Sequence, residues 1–326
     1  LAKTEGNVTV YNNCGNFLFD ENADVKWLDW SIWSTEGNQF NWYDSVVVTW
    51  RQPELLVGIH SYKKYDFDHN GVGHPDPTKE QWKWIDRFVC LNEWHSDQYA
   101  KRGAPKEKLV IGGTAIDFTP FNMVAKENLP RIPFRVCSHF HPGRGMHELR
   151  HYWEYVHHAI PEATLQSLWW DETVFDQFPA IPELGILPYK KAGPLEVARE
   201  LSQAQAFAYP AVGSETAPLT VIEAQAAGAF PVVIPVGGMR EVLSKYATVS
   251  KHLTFADDLV LSLLYKDDET QLAREIMMSE MRSRFNWRTV ARDNVAEFHL
   301  LHRECPTASG HQSAVGDDRR VSLLLL

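Results

Sequence analysis

Residues 215–228 read ETAPLTVIEAQAAG. Glu215 and Glu223 are separated by seven uncharged residues, and the stretch ends in the small residues Ala224, Ala226, Ala227 and Gly228. Ahead of it, AFAYP (206–210) reads as a short strand, followed by the polar, small-residue loop 211–217. Pro218 suits the first turn of a helix, where its missing N–H would have no partner anyway. The reading is therefore strand, loop and helix (218–227). The helix start offers the free N–H groups of about residues 217–220 and the positive end of the dipole, which together make an anion site. A diphosphate fits that site. Glu215 lies just before it and Glu223 about one and a half turns inside the helix. Carboxylates so placed can accept hydrogen bonds from the vicinal hydroxyls of a ribose or a sugar ring. The dipole also favours glutamates near a helix start without any ligand, so the stretch alone leaves both readings open.

The same alternation runs outward in both directions. Upstream, 134–139 (FRVCSH) is a strand, HPGRG a turn, and 145–160 a helix with Met146, Leu149, Trp153, Val156 and Ile160 on one stripe. Then come a strand at 163–170 and a helix at 195–204. Downstream, FPVVIP (230–235) is a strand and 239–245 a short helix. A first series of strands, at 8–14, 43–50, 87–91 and 108–112, has helices at 78–86 and 94–102 between its later members. The proline-bearing stretch 118–133 reads as a linker between the two series. Two α/β units with parallel sheets follow, and ligands in such sheets bind beyond the carboxyl ends of strands. That directs attention to the loops 138–145 and 210–218.

Composition agrees with two cores: 326 residues, 44% hydrophobic and 12% aromatic. The formal net charge of −10 and the lack of a basic block argue against nucleic acid or an anionic membrane surface as partner. Cys14, Cys90, Cys137 and Cys305 are scattered, which fits reduced thiols in a cytosol-like compartment. No run is long enough for a transmembrane helix, so the expected location is cytoplasmic, with peripheral membrane association as an alternative. The chain begins LAKTEG, without Met, and reads as a fragment; the tail 305–326 shows no period and reads as disordered.

The stretch 215–228 resembles the signature of retaining glycosyltransferases of the GT-B fold in the large family 4, where Glu, seven residues and Glu precede an alanine-rich turn. The likeness extends to 138–170, 185–210, 284–298 and, toward the end of the acceptor-side domain, 50–56 and 92–121. It implies two Rossmann-like domains facing a cleft: a partial acceptor-side domain (1–125), a nucleotide-sugar donor domain (126–284) and a returning helix (285–304). The glycine-rich loop expected after the first strand is not found, which implies an N-terminally truncated domain. The activity implied is transfer of a sugar from a nucleotide donor to an acceptor hydroxyl, with retention and without a metal or other cofactor. The acceptor would be a glycan, lipid or protein. By the same likeness the donor is held by His139, Gly143, Arg144, Glu215, Thr216, Ala217, Pro218, Leu219, Thr220 and Glu223. Arg144 and the helix N–H groups would stabilise the leaving diphosphate, Glu223 would hold the ribose and Glu215 the transferred sugar. Many relatives carry Arg or Ser where His139 stands. Two other readings stay open: another GT-B enzyme such as a nucleotide-sugar epimerase, and an inactive sugar-nucleotide-binding or interaction module.

Other motifs compete less well. In DFDHNGVGHPDP (66–77) the first six residues match an EF-hand loop, but Pro77 stands where the bidentate Glu belongs. Asp66-x-Asp68 would suit the metal motif of the other glycosyltransferase fold, which the GT-B likeness disfavours. Relatives carry a His–Asp element in this region, so His69, as a catalytic residue, and Asp68 are candidates, with a purely structural loop as the alternative. His147 and His151 have zinc-ligand spacing but lie opposite the buried stripe, on a solvated face. No GxGxxG follows a strand, and no nucleophile elbow is present.

Overall fold

The computed structural model describes residues 8–12, 18–20, 25–29, 31, 42–69, 75–264, 268–292 and 322–325. The chain divides into two compact units, residues 1–113 with 290–326, and residues 114–289. In the first unit the strands are β1 (Val8–Asn12), β2 (Leu18–Asp20), β3 (Val25–Asp29), β4 (Trp42–Trp50), β5 (Ser61–Phe67), β6 (Arg87–Cys90) and β7 (Leu109–Ile111). Helix α1 (Lys79–Trp84) precedes β6 and α2 (Glu93–Lys101) precedes β7. The second unit holds β8 (Arg135–His139), β9 (Thr164–Trp169), β10 (Lys190–Lys191), β11 (Ala206–Pro210), β12 (Phe230–Ile234) and β13 (Thr248–Val249). Its helices are α3 (Thr119–Ala125), α4 (Met146–Ala159), α5 (Pro194–Gln203), α6 (Leu219–Ala226), α7 (Phe255–Leu264) and α8 (Asp268–Arg284). A last strand, β14 (Ser322–Leu325), belongs to the first unit.

The first sheet runs β2-β3-β1-β14-β4-β5-β6-β7, parallel except for the β2–β3 pair. Val46, Val47 and Val48 of β4 are all buried, the continuous apolar run expected of a strand covered on both faces. Helix α1 starts on a capping box between Thr78 and Gln81, and α2 on the Asn92 side chain, which accepts from the His95 N–H. Residues 322–325 were expected in a structureless tail; instead they pair in parallel with β1 and β4. A run of leucines after a serine is short enough to carry no helical period yet apolar enough for a central strand. Residues 305–321 of that expected tail, and 293–304 of the returning helix, lie outside the described residues; 287–292 are helical.

The second sheet, β10-β9-β8-β11-β12-β13, is wholly parallel. From β8 the chain moves outward through β9 and β10, then returns to β11 beside β8 and continues the other way. The β8/β11 boundary is thus the switch point, where a crevice opens beyond the strand ends. Helix α4 buries the expected stripe: Met146, Leu149, Trp153, Val156 and Ile160 are at most 4% exposed. His147 and His151 are on its solvent side. The stretch 118–133, expected as a linker, contains α3. Its Pro120 sits in the first turn, where proline is tolerated, and Phe121 and Val124 are buried. The short helix expected at 239–245 is a 3₁₀ turn over Gly237–Val242. Among the described residues, no helix is long and apolar enough to cross a membrane.

Candidate functional site

Three loops of the second unit meet beyond the ends of β8, β11 and β12. The first, 140–145, makes a 3₁₀ turn at Pro142–Arg144 and leads into α4. Its Gly145 has φ 140°, and a Cβ there would lie 2.4 Å from the Pro210 carbonyl oxygen at the end of β11. The Val212 N–H donates to the Arg144 carbonyl at 3.1 Å, so the two loops are joined through their backbones. The third loop arrives at Gly237, φ 56°, where a Cβ would come within 2.2 Å of the Glu215 carbonyl oxygen; the Gly238 N–H donates to that oxygen at 2.8 Å. Both glycines are required by contact as well as by φ.

This packing brings Arg144 to Glu215. Arg144 Nη1 donates to Glu215 Oε1 at 2.7 Å, and the Tyr209 hydroxyl donates to the same oxygen. Glu215 is buried, while the Arg144 side chain is 54% exposed. Burial alone would weaken the Arg144 charge, but the Glu215 carboxylate and Tyr209 outweigh it and its pKa is raised. Burial and the same carboxylate raise the Tyr209 hydroxyl, which therefore stays a neutral donor.

Helix α6 begins at Leu219, one residue later than expected, with Pro218 as its N-cap. No side chain caps it, and the first intrahelical bonds come from the Val221 and Ile222 N–H groups to the Pro218 carbonyl. The Leu219 and Thr220 N–H groups are thus the ones the helix itself cannot satisfy. Thr216 and Pro218 are buried, Ala217 and Thr220 half-buried, and Leu219 exposed. Glu223, one turn further in, keeps 26% of its side-chain surface, yet desolvation pushes its carboxyl up to about 7. His139 Nε2 lies 3.9 Å from Glu223 Oε2. The Leu168 carbonyl faces His139 Nδ1 at 3.4 Å and can only accept, which leaves Nε2 as the bare nitrogen of a neutral ring. Burial lowers the His139 pKa, partly offset by that carbonyl. Gly143 N–H donates to the His141 ring at 3.1 Å. Neither glutamate of the pair is therefore a dipole ornament: one is buried with partners, the other desolvated beside a neutral histidine.

His69 belongs to the first unit. Its exposed ring lies 4.7 Å from that of Trp50, also exposed. Its neighbour Asp68 is buried, accepts from the Tyr99 hydroxyl, and has Arg51 Nε at 3.5 Å. Asp66 accepts from Thr49 Oγ1 at 2.7 Å, and burial pushes its carboxyl up to about 7. Both carboxylates are thus engaged with protein groups; residues 70–74 of the EF-hand-like segment lie outside the described residues. Sequence reasoning missed Tyr209, Gly145 and Gly237 as parts of the site, and Trp169, whose ring meets His141 edge-on at 5.5 Å. The Gly237-Gly238 pair, separated from β12 by two residues, was the available signal.

No family model matches the sequence, and no curated protein is similar to it by sequence. Solved structures are similar in fold. The Burkholderia multivorans α,α-trehalose 6-phosphate synthase has a TM-score of 0.66 at 12% identity, covering 97% of this chain and 93% of that one. Anabaena HepE, solved with UDP and glucose, has a TM-score of 0.63 at 11% identity, covering 90% and 99%. The sucrose-phosphate synthase of Thermosynechococcus elongatus has a TM-score of 0.61 at 14% identity, covering 84% and 76%. The chain therefore has the α/β fold of two Rossmann-like domains known as GT-B.

Proposed function

We propose that the chain is a glycosyltransferase whose second unit holds a nucleotide sugar and whose reaction passes that sugar to an acceptor hydroxyl. The observation that carries this reading is the convergence of Arg144, Glu215, the α6 start and the desolvated Glu223 at one switch point. In this reading the diphosphate lies between the exposed Arg144 side chain and the Leu219 and Thr220 N–H groups. Those groups stabilise the charge that builds on the leaving phosphate, the main electrostatic task of the step. Glu223 accepts from the ribose hydroxyls. Glu215 Oε1 is occupied by Arg144 and Tyr209, so its Oε2 is the oxygen left for the transferred sugar.

The bond between the sugar anomeric carbon and the phosphate oxygen breaks, the acceptor oxygen bonds to that carbon, and the acceptor proton passes to the leaving phosphate. We take the outcome as retaining and metal-independent, as the family 4 resemblance implies, with no covalent protein nucleophile and a cytoplasmic setting. His69 is proposed to take part from the first unit, and the acceptor is a glycan, lipid or protein. UDP and UDP-glucose are the first probes, because a structure of this fold was solved with UDP and glucose. Turnover with an acceptor, unchanged by EDTA, is the expected result. Loss of activity on EDTA with recovery on Mn²⁺ would overturn the metal-independent step, and nucleotide binding without any turnover would make the chain a binding module.

A further inference from the structure

At the far end of α6 from the candidate site lies a cavity of about 610 Å³, in the size range of small-molecule pockets. Its wall includes Arg131, Arg274 and Arg282. Arg131 bridges two helix ends: Nη1 donates to the Leu201 and Ala204 carbonyls at the end of α5, and Nη2 to the Ala227 carbonyl after α6 at 2.7 Å. One guanidinium thus already caps both helices. Arg274 is surplus to that task. It is 94% buried, being 6% exposed, donates through Nη1 to the Gly228 carbonyl, and lies over the Phe230 ring at 4.4 Å. Among the described residues its other donors have no protein hydrogen bond. Among the described residues neither Arg131 nor Arg274 is within ion-pair distance of a carboxylate.

The charge tally is uneven. Three guanidiniums face three helix C-termini, those of α3, α5 and α6, worth about half a negative charge each, and Glu275 on the rim, which leaves about half a positive charge uncompensated. That excess stands inside a protein of net charge −10. Burial, and for Arg131 the charge of Arg274, pushes Arg131 down to about 9; burial pushes Arg274 down to about 10. An oxyanion would relieve both. Phe121, Val124, Leu129 and Met278 supply apolar lining between them. Gly228, φ 80°, is where a Cβ would strike the Arg131 guanidinium at 2.5 Å, so the small-residue run after Glu223 makes room for these arginines.

We propose that this cavity is a second anion site, taking the phosphate group of a small phosphate monoester on Arg274 and Arg282 with its organic part against the apolar lining. The proposal is independent of the transfer reaction. It is tested by calorimetric titration of phenyl phosphate, inorganic phosphate and phenol into the full chain at neutral pH. Phenyl phosphate is expected to bind with Kd of about 1 mM or tighter, inorganic phosphate about tenfold more weakly, and phenol not measurably. Arg274→Met should weaken phenyl phosphate by about tenfold or more, the loss of one charge-assisted contact. Should that variant fail to fold, Arg282→Gln carries the same expectation; Arg282 is half-buried, donates to the Asn122 side chain and lies over the Phe118 ring at 5.3 Å. Arg144→Ala, at the other end of α6, should leave this affinity unchanged. Absence of binding by the wild type, affinity unmoved by Arg282→Gln, or binding abolished by Arg144→Ala would each overturn the assignment.

Discussion

Arg144 joins two tasks that pull in different directions. Its contact with Glu215 neutralises a buried carboxylate, and its exposed side chain is offered to a diphosphate. Arg144→Ala should therefore do two things. It should slow transfer by about 100-fold or more, as for loss of one leaving-group stabiliser. It should also lower stability by about 1–3 kcal/mol, because Glu215 is left with Tyr209 alone. Steady-state rates and urea melts measure the two separately. Glu223 makes a pH-dependent statement. Its folded pKa of about 7 lies above the ordinary 4.5, so the stability it lends is complete below the unfolded pKa and is lost as pH rises through 7. Glu223→Gln, which copies the protonated form, should match the wild type in stability by urea melts at pH 4 and exceed it at pH 8 by about 1–3 kcal/mol. Binding runs the other way. A nucleotide sugar, whose diphosphate does not titrate here, should bind the carboxylate form and gain affinity between pH 6 and 8, and the Gln variant should lose that slope.

At the scale of elements the site depends on three loops held at contact distance. Gly145→Ala places a methyl into the Pro210 carbonyl and forces φ 140° on an alanine, so it should cost about 2 kcal/mol or more and weaken nucleotide binding with it. Thermal melting and calorimetry on that variant check both. Helix α4 and the strands around it were legible because Met146, Leu149, Trp153 and Val156 recur at helical spacing over about three turns. Helix α3 was not, since Pro120 and Pro130 made 118–133 look like a breaker, although a proline in the first turn costs nothing. The Glu215–Glu223 spacing located the loop and helix of the site. It could not reveal that Glu215 is buried against Tyr209, because that contact is set by the turn of 211–214 and by Gly237, far along the chain. Strand β14 escaped for the reason given by its four residues: a short leucine run has no period to read.

For the molecule as a whole, the second unit carries its own parallel sheet and a core that includes Trp153, Phe207, Tyr209 and Phe255, all fully buried. Residues 114–289 made alone should fold cooperatively and keep nucleotide affinity within about threefold of the full chain, while transfer is lost. Circular dichroism and calorimetry on that fragment decide it. The net charge of −10 gives no help in attracting a diphosphate, so affinity must come from local groups: Arg144 and the α6 start. The most direct test of the central claim is calorimetric titration of UDP-glucose into the wild type and into Arg144→Ala and Glu223→Gln. Saturable one-to-one binding by the wild type is expected, weakened by about tenfold or more in each variant at pH 8. Equal affinity in all three proteins would contradict the claim.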